Sequence, residues 1–329
     1  MQVWTDVSQV PAGWGPSVVT LGNFDGVHRG HVAVLSRMVE DARAVGARAV
    51  AVTFTPHPAE VHRPAEAPPR LLGDVDRLEL LAGTGLDATL LVTYTLDFAR
   101  QSPEEFVTRY LVGALRARTV VVGRDVRFGW QNSGDLSTMR ALGERHGFAV
   151  EVIDDVRPGG DDEDERRWSS TWVRELLAAG DVAAAAEVLG RPHRVRGVVV
   201  HGDARGRELG YPTANLGSTT GMVPADGVYA GRLLRGERRP DGTPVVPEDR
   251  VLPAAVSIGT NPTFDGRDRR VEAYVLDRTD LDLYDEDVAI ELVARLRPTL
   301  RFSSVEELLT RMAQDVDDVR VVLGEPGLG

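Results

Sequence analysis

The stretch GNFDGVHRGH, residues 22–31, determines how the first half of the chain is expected to fold. It follows the apolar run VVTL, residues 18–21, which is typical of a buried strand. After it, apolar residues recur at helical spacing from Leu35 to Val45. The stretch is therefore predicted to join a strand to a helix. His28 and His31 are three residues apart, so the first helical turn places them on one side of the helix entrance.

The helix entrance in this stretch has the properties of a phosphate-binding site. Backbone N–H groups without helical partners and the positive end of the helix dipole gather there. Glycines such as Gly22 and Gly30 allow the backbone to approach a ligand closely. The alternative is that one histidine caps the helix and the other packs on its side. We favour phosphate binding, because two histidines occur together in a glycine-rich strand–turn–helix.

The composition limits the chemistry that is possible. The chain has 329 residues, enough for two domains with separate cores, and a formal net charge of -12. An acidic balance argues against a broad nucleic-acid or anionic-membrane surface. No Cys is present, which excludes disulfides, cysteine nucleophiles and cysteine-ligated metal sites. No Lys is present either, which excludes a GxxxxGKS or GxxxxGKT phosphate loop and a Schiff-base lysine.

Phosphate charge must then be met by Arg, His, backbone N–H groups and metal ions. The first residues lack a basic segment followed by an apolar one, and no apolar run is long enough to span a bilayer. The expected location is therefore the cytoplasm.

Strand and helix patterns alternate through the first half. Strands are predicted at 49–54, 88–93, 119–122 and 148–153, and helices at 74–82 and 135–146. The segment SPEE, residues 102–105, is a helix start with a capping serine and a proline in the first turn. Such alternation predicts a doubly wound parallel sheet, in which ligands bind at the carboxyl ends of the strands. Two helices, 170–179 and 181–189, follow, and we expect the domains to be 1–187 and 188–329.

The second half has a different pattern. Short runs rich in Val, Ile and Tyr lie between Gly, Pro and Asp residues, and they predict strands at 195–200, 228–234, 254–258, 271–276 and 288–296. This pattern is typical of an antiparallel sheet or small barrel. The segment SSVEE, residues 303–307, is a capping-box pattern that opens a helix to about residue 322.

Three further segments of the first half are candidates for binding. TFTPHP, residues 53–58, is either an apolar wall for a flat ring or a turn, and GRDVRFG, residues 123–129, follows a strand at the same edge. SSTWVR, residues 169–174, combines hydroxyls at a helix start with Arg174, a group that can hold a triphosphate. The alternative for SSTWVR is an ordinary cap with a surface arginine. Arg70 is a further candidate.

Together these motifs resemble those of the bacterial bifunctional riboflavin kinase/FMN adenylyltransferase (FAD synthetase) family. GNFDGVHRGH is similar to the family's HxGH nucleotidylyltransferase signature, and SSTWVR is similar to its second nucleotide-binding motif. TFTPHP and GRDVRFG are similar to its flavin-side loops. In the second half, GDARGRELGYPTAN, residues 202–215, resembles the riboflavin kinase Gly/Arg loop with its PTAN motif. The resemblance covers nearly the whole chain and implies a nucleotidylyltransferase-like Rossmann domain followed by an antiparallel β-barrel with a terminal helix.

Glu272 is in the strand pattern VEAYVL, residues 271–276, where alternation places it on the face of Tyr274 and Leu276. The pattern alone leaves open whether it is a solvated edge residue or a catalytic base, and the resemblance favours the base. Thr213 and Asn215 of PTAN offer compact oxygen ligands for Mg²⁺ and ATP phosphates. The alternative for this segment is a turn that closes a hairpin.

The resemblance implies a set of site residues in each half. The catalytic set consists of Glu272, His28, His31 and Arg174. The set that binds nucleotide or flavin in the first half consists of Gly22, Phe24, Asp25, Gly30, Phe54, Pro56, Pro58, Asp125, Phe128, Ser170 and Thr171. The corresponding set in the second half consists of Gly202, Arg205, Gly206, Gly210, Thr213 and Asn215, of which Thr213 and Asn215 are expected to hold the metal.

The favoured hypothesis is an enzyme with two activities. The second half transfers phosphate from ATP to riboflavin to give FMN, and the first half joins FMN to the adenylyl part of ATP to give FAD and pyrophosphate. ATP, Mg²⁺ and flavins are the expected ligands, with no nucleic-acid or membrane partner. One alternative is an adenylyltransferase for another phosphorylated cofactor precursor, with a non-catalytic C-terminal binding module. The other is a flavin-sequestering protein without catalytic activity.

Overall fold

The computed structural model describes residues 1–153, 166–202, 206, 209–260 and 269–325. The chain forms two compact units. The first consists of Met1–Pro68 and Asp74–Ser169, and the second of Pro69–Gly73 and Ser170–Gly329. A division of the chain into catalytic domains at 187/188 stays a prediction.

The first unit is built around a parallel sheet. Its strands and helices are β1 (Gln2–Trp4), β2 (Ser17–Leu21), α1 (Arg29–Ala44), β3 (Arg48–Thr55), α2 (Pro58–His62), α3 (Asp74–Gly83), β4 (Ala88–Thr93), α4 (Leu96–Ala99), α5 (Pro103–Phe106), β5 (Ala117–Gly123), α6 (Leu136–His146) and β6 (Ala149–Ile153). A π-helical stretch, Val107–Ala114, continues α5. Ser102 and Glu105 form the capping box expected at the start of α5.

The six strands of this sheet lie in the order β1-β4-β3-β2-β5-β6, and every pair is parallel. After β2 the chain adds β3 and β4 on one side, and it then returns to place β5 on the other side of β2. The strand order therefore reverses beside β2, which is the position where open parallel sheets bind ligands. The central strands are apolar and buried, with Val19, Val50 and Leu90 fully buried. The predicted parallel sheet is confirmed.

The second unit is a closed antiparallel barrel with helices. Its elements are α7 (Ser170–Ala179), α8 (Val182–Leu189), β7 (His193–Val200), β8 (Thr213–Thr220), β9 (Gly227–Arg235), β10 (Val251–Thr260), β11 (Arg269–Val275), β12 (Asp287–Arg297) and α9 (Val305–Leu323). The barrel order is β10-β11-β8-β7-β12-β9, closed by the pairing of β9 with β10. This confirms the predicted barrel and terminal helix.

Alternation along the barrel strands separates a core from an outer face. On β8, Ala214 is buried whereas its neighbours Thr213 and Asn215 are half-buried. Helix α9 packs on the outer face, where its Val319 joins Ala230 and Leu276 in one apolar cluster.

Two charged pairs also fix α9 to the barrel. Arg320 donates two hydrogen bonds to Asp277, at 2.8 and 2.7 Å. Arg297 donates two to Asp315, at 2.8 and 2.6 Å. Among the helices that the structure describes, none combines the length and the apolar character that a bilayer crossing requires. The cytoplasmic location stays a prediction.

Candidate active sites

The turn between β2 and α1 has an unusual backbone. Phe24 has a φ of 47° and Val27 a φ of 38°, in the left-handed region that side chains rarely adopt. For the β-branched Val27 this is a clear outlier. Such conformations cost about 1–3 kcal/mol each, persist where the surrounding structure fixes them, and cluster at functional sites. The turn is therefore a strong candidate for a binding site on physical grounds alone.

The two histidines of this turn form one unit at the start of α1. His28 is the N-cap, and its Nδ1 accepts a hydrogen bond from the backbone N–H of His31 at 3.4 Å. The two rings stack with centroids 3.7 Å apart and an angle of 23° between their planes. His28 is 6% exposed and His31 is half-buried. Since Nδ1 of His28 is an acceptor, the neutral ring carries its proton on Nε2.

The capping arrangement left open by the sequence is thus present, and it coexists with the features that favour an anion. Both rings lie at the positive end of the α1 dipole. Asp25, in the same turn, is 5% exposed.

Two glycines of the turn make room for aromatic rings. A Cβ on Gly30 would lie 3.1 Å from two ring atoms of His28, and a Cβ on Gly22 would lie 3.1 Å from the ring of Phe24. Phe24 in turn meets His31 edge-on, with ring centroids 5.4 Å apart. Glycine at positions 22 and 30 therefore leaves the space that the rings of Phe24 and His28 occupy.

The sheet brings the first-unit motifs to one edge. β2 pairs with β3 on one side and with β5 on the other. Because all three strands are parallel, the segments that follow them leave from the same edge of the sheet. GNFDGVHRGH is thus flanked by TFTPHP after β3 and by GRDVRFG after β5. Asp125 of the latter segment is exposed.

The flavin-side candidates belong to a row of aromatic rings. Phe54 is half-buried and contacts Phe98 with centroids 5.8 Å apart, Phe98 contacts Phe106 at 6.2 Å, and Phe106 contacts Phe128 at 6.1 Å. Phe128 is 7% exposed, so it supports this row from within the core. Pro56 is exposed and Pro58 half-buried.

Tyr94 extends the same row toward the surface. Its ring meets Phe54 edge-on at 5.6 Å, and its hydroxyl lies 2.9 Å from Nε2 of His62. Burial raises the pKa of the Tyr94 phenol above its ordinary value, so the hydroxyl stays neutral. The sequence reasoning did not single out Tyr94 or Phe98, although both are aromatic residues near the end of β4.

SSTWVR spans the boundary between the two units in the sequence: Ser169 ends the first unit, and the residues from Ser170 to Arg174 belong to the second. α7 begins at Ser170, so Ser170 and Thr171 occupy its first turn, and Arg174 follows one turn later. Nε of Arg174 donates to the carbonyl oxygen of Pro69 at 2.8 Å. The neighbouring candidate Arg70 is half-buried.

The second-unit candidates lie on two paired strands. Glu272 on β11 is directly opposite Asn215 on β8, and Tyr274 is opposite Thr213. Directly opposite residues have Cβ atoms about 4.5–5.5 Å apart. All four are half-buried, and the intervening Ala214 and Ala273 point into the barrel. Glu272 therefore shares the outer face of the barrel with the PTAN oxygens.

Hydrogen bonds and packing fix the PTAN side chains. Nδ2 of Asn215 lies 3.3 Å from the carbonyl oxygen of Thr213 and 3.5 Å from its Oγ1. A Cβ on Gly202 would lie 2.5 Å from Nδ2 of Asn215, and a Cβ on Gly206 would collide with the carbonyl oxygen of Tyr211. Gly210 has a φ of 86°, which favours glycine. Gly202 and Gly206 thus allow the Gly/Arg loop to approach β8.

One predicted residue of this site, Arg205 of the Gly/Arg loop, lies outside the described residues.

A cavity of about 550 Å³ opens beside Thr213. Its walls include Gly210, Pro212 and Thr213, together with Arg278, Thr279 and residues 281–284. Arg278 donates to Asp249 at 2.6 Å and to Asp280 at 2.7 Å. These hydrogen bonds lower the pKa of Asp280 to about 2 and hold the pKa of Asp249 below its ordinary value. Arg278 in the wall is thus paired with two carboxylates that stay ionised at neutral pH.

Two family models divide the chain between them. The FAD synthetase model matches residues 11–171, and the riboflavin kinase model matches residues 189–323. The Escherichia coli (strain K12) protein named bifunctional riboflavin kinase/FMN adenylyltransferase is 36% identical over 307 residues, which cover 93% of this chain and 93% of that protein. The protein of the same name from Listeria monocytogenes is 33% identical over 321 residues, covering 96% and 93%. This chain belongs to the bifunctional riboflavin kinase/FMN adenylyltransferase family.

A solved structure shares the fold of the whole chain. The structure named macrolide-efflux protein from Streptococcus pneumoniae matches with a TM-score of 0.79 and 30% identity, covering 97% of this chain and 98% of that one. Its fold therefore resembles both units of this family member.

The riboflavin kinase/FMN adenylyltransferase family implies ATP with Mg²⁺, and the donor set fits that metal. Among the described residues there is no group of three or more His, Asp or Glu side chains that could hold a metal by themselves. Mg²⁺ is commonly held by one or two protein oxygens together with substrate phosphates and water. Thr213 and Asn215 offer such neutral oxygens, and Glu272 adds a carboxylate opposite Asn215.

Proposed function

We propose that this chain carries out its two reactions at two separate residue sets. Family membership gives the activities: the chain is a riboflavin kinase and an FMN adenylyltransferase. The residue assignment is our own. The barrel face around Glu272 phosphorylates riboflavin, and the sheet edge around His28 and His31 adenylylates FMN. The register that sets Glu272 opposite Asn215 carries the first assignment.

In the kinase reaction, the Glu272 carboxylate accepts the proton of the riboflavin 5′-hydroxyl. The freed oxygen attacks the γ-phosphorus of ATP, and ADP leaves. Thr213 and Asn215 would hold Mg²⁺ together with ATP, and the bound metal would supply neutralisation of phosphate charge. Phosphoryl transfer depends mostly on such positioning and on charge stabilisation. The half-buried position of Glu272 suits a base that must reach substrate while water is partly excluded.

In the adenylyl transfer, a phosphate oxygen of FMN attacks the α-phosphorus of ATP. The bond from that phosphorus to the bridging oxygen breaks, and pyrophosphate leaves. The FMN phosphate is already anionic at neutral pH, so the reaction needs no protein nucleophile. His28 and His31 stabilise the charge that develops, and the positive end of α1 adds to this.

The remaining first-half candidates have supporting roles in this proposal. For Ser170, Thr171 and Arg174, which belong to the second compact unit, a role toward the nucleotide phosphates rests on the sequence resemblance. Phe54, Pro56 and Pro58 flank the isoalloxazine ring, and Phe128 supports Phe54 through the aromatic row.

The test is a product assay with the purified full chain. With riboflavin, ATP and Mg²⁺, chromatography should show FMN first and FAD later, and FMN with ATP should give FAD and pyrophosphate in equal amounts. Turnover of ATP with another phosphorylated precursor, but not with FMN, would establish the alternative adenylyltransferase. Stoichiometric flavin binding without any turnover would establish a sequestering protein.

A further inference from the structure

A buried arginine lies beneath the turn that carries the two histidines. Arg77 is in α3, within the first compact unit, and its side chain is 3% exposed. A guanidinium keeps its charge in a protein, so a buried arginine must be held by acceptors on several sides. Neither the kinase nor the adenylyltransferase assignment above uses this residue.

The acceptors of Arg77 come from two candidate segments. Its Nη1 donates to the carbonyl oxygen of Asn23 at 2.8 Å, and its Nη2 donates to the carbonyl oxygen of Phe54 at 2.8 Å. Asn23 belongs to GNFDGVHRGH after β2, and Phe54 belongs to TFTPHP at the end of β3. The planar guanidinium therefore joins the ends of two adjacent parallel strands.

Further hydrogen bonds connect the same groups, among them one from Nη1 of Arg77 to Oγ1 of Thr53 at 3.3 Å. Nη2 of Arg77 also donates to Oδ1 of Asp74 at 2.8 Å, and Oγ1 of Thr55 donates to Oδ2 of Asp74 at 2.6 Å. Oγ1 of Thr53 donates to the Asn23 carbonyl oxygen at 3.2 Å. These bonds end on the turn, on the end of β3 or on the first residue of α3.

The backbone that follows Asn23 is the strained part of the turn, with positive φ at Phe24 and Val27. Strained backbone persists only where neighbouring contacts fix it. Arg77 and Thr53 supply such contacts at the Asn23 carbonyl, directly before Phe24.

We propose that Arg77 is a positioning residue for adenylyl transfer. This rests on the proposed function, in which GNFDGVHRGH holds the ATP phosphates and TFTPHP flanks the flavin. By fixing the Asn23 carbonyl against the Phe54 carbonyl, Arg77 sets the distance between the α-phosphorus of ATP and the attacking FMN phosphate. A misplacement of about 1 Å at a reacting centre can cost about 10²-fold in rate.

The first test is Arg77→Lys in the full chain. Lysine keeps the charge but has a single nitrogen, so it cannot bridge the two carbonyl oxygens with a planar fork. We expect the kcat of FAD formation from FMN to fall by about 10-fold to 10²-fold, with a much smaller change in the KM values of FMN and ATP. Riboflavin phosphorylation should stay at the wild-type rate. The matched control is Arg37→Lys, on the same unit, where the side chain is 77% exposed.

A second variant covers the case in which Arg77→Lys fails to fold. Thr53→Val removes the hydroxyl that donates to the Asn23 carbonyl and accepts from Nη1 of Arg77 at 3.3 Å. It leaves both carbonyl contacts of Arg77 in place, so it should give a smaller loss of kcat in the same direction. Circular dichroism and thermal unfolding report the folded fraction. A merely structural role would lower that fraction and leave kcat per folded molecule unchanged, which would overturn the proposal.

His31→Ala in the same assay distinguishes failure of the Arg77 positioning role from failure of the proposed adenylyl-transfer site. Loss of FAD formation in His31→Ala, with wild-type kcat in both Arg77→Lys and Thr53→Val, would refute the positioning role and leave the proposed function intact. Wild-type FAD formation in His31→Ala would refute the assignment of this turn to the adenylyl transfer.

Discussion

The two candidate sites are built in opposite ways. In the barrel, Thr213, Asn215 and Glu272 lie within paired strands, and ladder register alone sets Glu272 opposite Asn215. At the edge of the parallel sheet, the candidates lie at the ends of β2, β3 and β5 or in the segments that follow these strands. The turn after β2 has positive φ at Phe24 and Val27.

The difference affects how each site responds to mutation. A strand-borne site has its geometry fixed by many backbone hydrogen bonds, so single side-chain changes should act on chemistry. A loop-borne site depends on a few side chains that hold the loops, such as Arg77, so its geometry can be lost from a distance. The following predictions test this contrast.

The largest effect is expected at the strand-borne carboxylate. Glu272→Gln keeps the size of the side chain and removes the base, so riboflavin phosphorylation should fall by about 10²-fold to 10⁴-fold. FAD formation from supplied FMN should be unchanged. Steady-state rates of riboflavin phosphorylation and of FAD formation, each compared with the wild type, test both expectations. The control is Glu291→Gln, which neutralises a glutamate on β12 of the same barrel that pairs with Arg194. An unchanged kinase rate in Glu272→Gln would remove Glu272 from the chemistry.

The next effect is expected at the loop-borne imidazoles. His31→Ala removes the ring stacked on His28 and one donor to the developing charge, so FAD formation should fall by about 10²-fold to 10³-fold. FMN formation should stay at the wild-type rate. His146→Ala, near the end of α6, is the control histidine in the same unit. Equal losses in both variants would show that the stack has no special role.

A smaller effect is expected where the Gly/Arg loop approaches β8. Gly202→Ala would place a Cβ 2.5 Å from Nδ2 of Asn215 and displace that side chain. Kinase activity should fall by about 10-fold, because a shifted metal–ATP ligand misplaces the γ-phosphate. Gly259→Ala, on β10, meets no atom within 4 Å and is the matched control. If both alanine variants keep the wild-type kinase rate, Asn215 is not held as the structure indicates.

The smallest effect concerns the attachment of α9 to the barrel. The hydrogen bond from Arg320 lowers the pKa of Asp277 below its ordinary value, so this pair stabilises the fold above that ordinary value and loses its effect as the pH falls through the lowered pKa. The Asp277 side chain is 40% exposed, so the contribution is about 0.2–1 kcal/mol.

Asp277→Asn tests this, and asparagine tolerates the positive φ of the position. The variant should lower the Tm by about 1–3 °C at pH 7, and the difference should shrink as the pH falls below the ordinary pKa of an aspartate and through the lowered pKa of Asp277. Asp97→Asn, at a side chain 89% exposed, serves as control. A difference in Tm that persists unchanged into acid would contradict the ionic attachment.

Periodicity predicted the regular elements well where local pattern and tertiary packing agree. The strand Ala88–Thr93 and the helix Ser170–Ala179 have the predicted bounds. The prediction missed β8, whose sequence TANLGSTT has few residues that favour strands. Its partners β7 and β11 impose the extended conformation, and pairing between strands distant in sequence leaves no local pattern.

For the candidate sites, the sequence predicted the positions of single residues but not the contacts between residues distant in the chain. Alternation correctly placed Glu272 on the face of Tyr274, because a strand has a fixed period of two. The glycines and histidines of the turn identified it as a candidate site. The packing of Gly30 against the His28 ring could not be predicted from the sequence pattern. Arg77 was missed because its partners are 54 and 23 residues away, and the local Asp74–Arg77 spacing predicts only a helical ion pair.

The most direct test of two separate residue sets is complementation between single variants. Glu272→Gln and His31→Ala are each incubated with riboflavin, ATP and Mg²⁺, alone and then mixed. The account predicts that His31→Ala alone stops at FMN, that Glu272→Gln alone makes little flavin product, and that the mixture makes FAD. A mixture of folded variants that makes no FAD, with each variant lacking both activities, would contradict it.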